Sequence, residues 1–114
     1  MSRPSLHTSV ASIFAGALLA IGCGPPPDEN RVEEIKSLTG DAAAGATLFT
    51  GNCARCHGED ARSGSAGADL PAVANEDPDR AIETILTGNI VMPRFGEQLS
   101  DQQIADVLAH LKAK

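Results

Sequence analysis

The chain has no tryptophan and no tyrosine, and only three of its 114 residues are phenylalanine. So few large aromatics leave a domain of this length little apolar volume, and a core built from side chains alone would be marginal. Basic residues are also scarce, nine Lys and Arg against fifteen Asp and Glu, for a formal net charge of −6. Without a clustered basic stripe there is nothing to neutralise phosphates, so nucleic acid is excluded as a partner. An acidic surface of this kind instead suggests protein partners that carry a complementary basic patch. No apolar run is long enough for an ordinary membrane-spanning helix, since the longest, Val10 to Ile21, has twelve residues. No alternating run asks to be a strand.

Three cysteines are present, and two of them stand in Cys53-Ala54-Arg55-Cys56-His57. On a helical turn, thiols three positions apart share a face, so both can add to the vinyl groups at one edge of a porphyrin. The adjoining imidazole then lies beneath the iron, one ring nitrogen on the metal and the other free to be oriented by a carbonyl. A C-x-x-C pair has other uses. A thioredoxin-like redox pair wants a βαβ setting, a structural zinc site wants two further ligands, and a chance pair of structural thiols wants nothing. Covalent haem is the best reading of this stretch.

The third cysteine, Cys23, closes an N-terminal segment of a different kind. Arg3 followed by the apolar run reads as an export signal over 1–22. Its end, Leu19-Ala20-Ile21-Gly22-Cys23, resembles a bacterial lipoprotein signal, in which the cysteine becomes the lipidated first residue of the mature chain. Ala20 stands where Leu is commonest. Residues 23–39 then read as a lipid-anchored linker, because Pro25, Pro26 and Pro27 favour an extended chain and the following acidic residues solvate it. Fully extended, it would reach on the order of 60 Å. Val32, Ile35 and Leu38 are candidates for a short apolar edge docked on the domain, with a mobile linker as the alternative.

The folded unit is expected over 40–114. Asp41 is a suitable N-cap for a first helix, with Gly45, Leu48 and Phe49 on one face. Glycine at 45 makes sense if another helix crosses closely there. Gly58 to Ala68 reads as a loop. Asp77-Pro78 starts a second helix, carrying Ile82, Ile85 and Leu86 and stopping at Gly88. Asn89 to Leu99 has too many helix breakers to be helical. Ser100 with Gln103 forms a capping box for the last helix, along which Ile104, Val107, Leu108 and Leu111 repeat at helical spacing. The fold expected is all-α, three main helices with long loops wrapped around a covalently bound haem.

The second iron ligand follows by elimination. Met1 and His7 leave with the signal, so the mature chain holds Met92 as its one methionine and His110 as its one histidine outside the motif. His110 sits near the apolar face of the last helix and reads as a packing or surface residue. Met92 is followed at once by Pro93 in a breaker-rich loop. A lone methionine is usually core filler, but beside a haem motif in so small a domain it reads as the partner of His57. Such a pair leaves no open iron position, which suits electron transfer. Arg94, beside it, is a candidate partner for a haem propionate, or an ordinary surface arginine. Ala54 and Arg55, between the cysteines, are expected near the exposed haem edge.

Together these pieces resemble class I cytochrome c, the small monohaem family: Gly40-Asp41 with Gly45 and Phe49, Cys53 to His57, Leu70 after the small-residue loop, Met92-Pro93-Arg94-Phe95, and Leu99-Ser100-Asp101. The resemblance implies that Gly45 and Phe49 pack against the last helix, where His110 replaces a common aromatic. It also implies that the carbonyl orienting His57 comes from position 68, where the family has proline and this chain has Ala68. The function implied is a single-electron carrier between redox protein partners, bound to a membrane through Cys23 on the periplasmic side, with one haem c and no small-molecule substrate. Alternatives are a haem subunit of a larger oxidoreductase, or a haem peroxidase or gas sensor in which Met92 leaves the iron.

Overall fold

The computed structural model describes residues 27–114; the export-signal and lipidation readings at 1–22 and Cys23 lie outside the described residues. In chain order these residues form α1 (Pro27–Ser37), α2 (Ala42–Asn52), α3 (Ala54–His57), α4 (Leu70–Glu76), α5 (Pro78–Thr87), a 3-10 turn at Phe95–Glu97 and α6 (Asp101–Lys112). Among them no strand occurs. The all-α expectation holds; the three expected main helices are α2, α5 and α6, and α1, with 11 residues as long as α2, is a fourth that the expectation lacked.

Their ends form for the reasons legible in the sequence. The Asp41 carboxylate accepts from the backbone N–H of Ala43 at 2.9 Å and of Ala44 at 3.2 Å. Asp77 accepts from the Arg80 N–H at 3.1 Å, with Pro78 as the first helical residue. At α6 the Ser100 hydroxyl accepts from Gln103 N–H at 3.2 Å, while the Gln103 side chain accepts from Ser100 N–H at 2.9 Å. Each satisfies donors that the helix itself leaves free.

The segment read as linker is different. From Pro27 to Ser37 it is helical rather than extended. Prolines at 25–27 favour an extended chain, but Glu29 to Lys36 contains good helix formers, and Val32 and Ile35, one turn apart, supply a buried edge. Ile35 is fully buried and Val32 nearly so, whereas Leu38 remains exposed. Polar contacts fix the docking on both flanks. Arg31 Nε lies 2.7 Å from Asp101 Oδ1 at the start of α6, and Lys36 Nζ lies 2.8 Å from Asp79 Oδ1 at the start of α5. Tertiary burial thus decides the state of a segment whose local signals are mixed.

α2 crosses α6 in the most extensive helix contact among the described residues. At the crossing Gly45 meets the α6 backbone at Asp106 and Val107, and a Cβ at position 45 would overlap the Asp106 carbonyl. One turn on, the Phe49 ring lies 5.3 Å from the His110 ring, tilted by 46°, so His110 fills the aromatic place on α6. Asp106, a buried carboxylate, accepts from the Asp41 backbone N–H at 2.8 Å and from Gln102 Nε2 at 2.9 Å. α4, unread in the sequence, starts at an Asp69 side chain that accepts from Ala72 N–H at 3.1 Å. The most deeply buried large side chains of the core are Phe49, Ile35, Ile82 and Ile104, surrounded by Val32, Leu86, Val107, Leu108 and Leu111 and by several alanines.

Candidate cofactor site

α2 delivers the chain to Cys53, and α3 turns Cys53, Cys56 and His57 toward a cavity of about 580 Å³. The loop after α3 folds back over the motif: Gly64 N–H donates to the His57 carbonyl at 3.1 Å and Ala66 N–H to the Cys56 carbonyl at 3.0 Å. These bonds occupy the carbonyls at the C-terminal end of α3. α4 and α5 form walls through Leu70, Val73 and Ile85. Ile85 belongs to the apolar stripe read for the second helix, but the stripe divides, with Ile82 buried in the core and Ile85 facing the cavity.

Met92 comes to the same cavity from the loop between α5 and the 3-10 turn. The Asn89 carboxamide oxygen accepts from the N–H of Val91 at 3.1 Å and of Met92 at 3.0 Å, and Asn89 N–H donates to the Met92 carbonyl at 3.0 Å. Gly88 has φ +64, and a Cβ there would overlap the Met92 carbonyl. Phe95, buried, anchors the far end. Short local bonds and one aromatic anchor therefore hold Met92, without regular secondary structure.

The electrostatics separate the uses a C-x-x-C pair can have. Burial pushes the Cys53 thiol up to about 11, so this thiol stays protonated until it is bonded. Among the described residues no three His, Cys, Asp or Glu side chains gather into a metal-ion site, so a zinc reading lacks its ligand set. Burial also lowers the His57 imidazole from its ordinary value and keeps it neutral, the form that ligates metals. His57 Nδ1 is buried with no hydrogen-bond partner. Two thiols, a neutral imidazole and a thioether around one largely apolar cavity fit haem c.

Ala68, Leu70 and Pro93 line the cavity as read from the sequence. The hydrogen bond implied from His57 Nδ1 to the Ala68 carbonyl is not formed in this structure, where Nδ1 has no partner. Arg94 sits between the lining residues Pro93 and Phe95, without lining the cavity itself. Arg55 lines it, but Ala54 is buried, because α3 turns that side inward. Arg80 on α5 also lines it, and nothing in the sequence marked that residue.

An all-α fold closed around a thiol, imidazole and thioether cavity defines a small haem-bearing electron-transfer protein. The sequence profile of cytochrome c oxidase, cbb3-type, subunit III matches residues 40–111. Cytochrome c6 of Rippkaea orientalis is 37% identical over 83 residues, which cover 68% of this chain and 75% of that protein. Cytochrome c6 of Synechocystis is 36% identical over 104 residues, 87% of this chain and 77% of that one. The gluconate 2-dehydrogenase cytochrome c subunit of Pantoea cypripedii is 36% identical over 88 residues, 63% of this chain but 20% of its own length. No solved structure gives a significant match. The chain belongs to the class I c-type cytochromes, carries one covalent haem c and acts as an electron carrier, not as an enzyme in its own right.

Proposed function

We propose that Cys53 and Cys56 hold the haem through two thioether bonds, that His57 and Met92 are its axial ligands, and that the carrier works while tethered to a membrane through Cys23. The observation that supports the ligand set is the gathering of all four side chains on one cavity from two separate segments, α3 with its cap and the loop that bears Met92. When bound, haem c supplies a reversible one-electron couple between ferrous and ferric iron. His57, kept neutral by burial, donates nitrogen to the iron. Met92 offers a soft thioether, which favours the reduced state and raises the potential. Leu70, Val73, Ile85 and Phe95 keep water from the apolar faces. With His57 and Met92 both holding the iron, the site would leave no position for a substrate.

The proposed organisation is a signal peptide over 1–22, a lipidated segment from Cys23, and the haem domain from 40, on the periplasmic side of a bacterial membrane. α1 shortens the tether sharply. Only Gly24, Pro25 and Pro26 stand between Cys23 and the start of α1, a reach of at most about 14 Å instead of a long linker. Among the described residues no helix is long and apolar enough to cross a membrane. A carrier held this close serves partners on the same membrane surface. Similarity to an oxidase subunit and to a dehydrogenase subunit supports a second reading as the haem-bearing subunit of a larger oxidoreductase.

The intact mass of the mature protein tests attachment, signal cleavage and acylation together. Additions of one haem and one lipid group are expected. The ferric visible spectrum should carry the weak charge-transfer band of a sulfur–iron bond, and Met92→Ala should abolish it. Haem retained after Cys53→Ala and Cys56→Ala together, or a spectrum indifferent to Met92→Ala with rapid carbon monoxide binding in the wild type, would overturn the ligand assignment. A stoichiometric complex on purification would favour the subunit reading.

A further inference from the structure

Met92 is presented to the cavity with little regular structure around it. Upstream, Gly88 ends α5 and the Asn89 carboxamide holds the turn. Downstream the chain passes through Phe95–Glu97 to the start of α6. Gly96 packs there so closely that a Cβ would come within 2.8 Å of the Leu86 carbonyl oxygen and 3.0 Å of Arg31 Nη1. A loop with few backbone bonds of its own opens more readily than the helices beside it, so the contacts at its downstream end govern how firmly Met92 is held.

α1 makes those contacts. The Arg31 guanidinium meets the segment 96–101 in three places: Nε donates to Asp101 Oδ1 at 2.7 Å, Nη2 lies 3.5 Å from the Leu99 carbonyl oxygen, and Nη1 lies over Gly96. The helix that carries Arg31 is itself fixed, by buried Ile35 and Val32 and by Lys36 Nζ at 2.8 Å from Asp79 Oδ1. Asp79 opens α5 and Leu86 lies in its last turn. α1 therefore runs antiparallel along α5, with Lys36 at one end and Arg31 beside the ligand loop at the other. α1 precedes 40–111, the stretch that the family profile matches, so the family likeness over that stretch gives it no role.

We propose that α1 braces the Met92 loop, with Arg31 as the positioning residue. Its guanidinium ties the segment after Met92 to a helix anchored in the core, and the tie keeps the thioether on the iron. This rests on Met92 being the second axial ligand. Groups one step removed from a metal ligand orient it and set how tightly it stays bound. With the brace in place the iron has both axial ligands and suits electron transfer. Without it Met92 leaves the iron more often, and the open position admits small ligands. The segment between the haem domain and the proposed anchor thereby takes part in the iron site.

Carbon monoxide reads the release of Met92. It binds the reduced protein only when the thioether is off the iron, so at low concentration its binding rate follows the fraction of molecules with Met92 released. The full-length haem-loaded protein is compared with Arg31→Gln and with Lys36→Gln, a matched control that breaks the ion pair at the far end of α1. A partly exposed pair shifts an equilibrium by up to about fivefold. Arg31→Gln should accelerate carbon monoxide binding about two- to fivefold, and on heating should lose the ferric sulfur–iron band before its helices melt. Lys36→Gln should do neither.

Equal rates in the wild type and Arg31→Gln would overturn the proposal, since Arg31 would then have no hold on Met92. Equal acceleration by the two variants would overturn it too, because the effect would be one of general stability. So would a band that Arg31→Gln loses only together with its helices. A wild type without the band, or with a spectrum indifferent to Met92→Ala, would instead remove the ligand assignment on which the brace depends.

Discussion

Gly45 of α2 and the carbonyl of Asp106 in α6 meet with no room between them for a methyl group. Backbone lies against backbone at that point, so neither side can give way by a rotamer change. The haem motif follows α2 directly, and the helix crossing therefore sets the position of Cys53 and His57 as well as the stability of the fold.

Gly45→Ala should consequently destabilise the protein by at least about 1–3 kcal/mol, the usual cost of overpacking a filled interior. Urea denaturation of the haem-loaded variant measures it. A loss below a few tenths of a kcal/mol would mean that the crossing is looser than its geometry.

Asp106 offers a test of the same crossing by polarity. Asp106→Ala removes the acceptor of the Asp41 N–H, bonded at 2.8 Å, and losing a part-buried hydrogen bond of this kind costs about 0.5–1.5 kcal/mol. Asp106→Asn keeps an oxygen acceptor and should lose less. Equal losses in the two variants would show that packing, and not the hydrogen bond, matters there.

α1 is an integral part of the fold, and Ile35 tests this. Its side chain is fully buried, so Ile35→Ala should cost about 2–5 kcal/mol. The Arg31–Asp101 pair is about one-third exposed on each side, and breaking it with Arg31→Gln should cost no more than about 1 kcal/mol. Thermal melts of the two variants should rank in that order.

The loop behind His57 carries an acid-sensitive turn. Asp60 accepts from the backbone N–H of Ser63 and Arg62 and from the Ser63 hydroxyl, and these bonds lower its carboxyl from 3.8 to about 2. A carboxylate lowered on folding contributes stability that is fully present above pH 3.8 and lost as pH falls toward 2. Asp60→Asn should remove that part of the acid dependence. NMR titration of the Ser63 amide reads it, and a midpoint at the ordinary carboxyl value would contradict the turn.

Cys53→Ala with Cys56→Ala should leave a chain that does not fold stably. The core holds only two phenylalanines among aliphatic side chains and several alanines, and such a core is marginal without the cofactor that fills its cavity. Far-ultraviolet circular dichroism with a cooperative melt equal to that of the haem-loaded protein would refute this.

Local chemistry explains which parts were legible. The caps at Asp41, Asp77 and Ser100 act within three or four residues, so sequence alone announces them, and the same is true of the spacing Cys53 to His57. Met92 was legible for another reason: few candidates existed. α1 was not, because three prolines and a run of charges outweigh two apolar residues until Ile35 and Val32 have something to pack against. Arg80 and the division of Ile82 from Ile85 were invisible, since one helix can face a core and a cavity at once.

The sequence by itself determined the helices that cap themselves, the haem-binding pattern and the family, because each rests on residues close together in the chain or on a rare residue type. Only the tertiary structure decided that the linker is a helix, that the Asp106 carboxylate joins α6 to the start of α2, and that Arg55 and Arg80 line the cavity of an acidic protein. Those depend on which distant segments meet, and net charge or hydropathy summed along a chain contains no record of that.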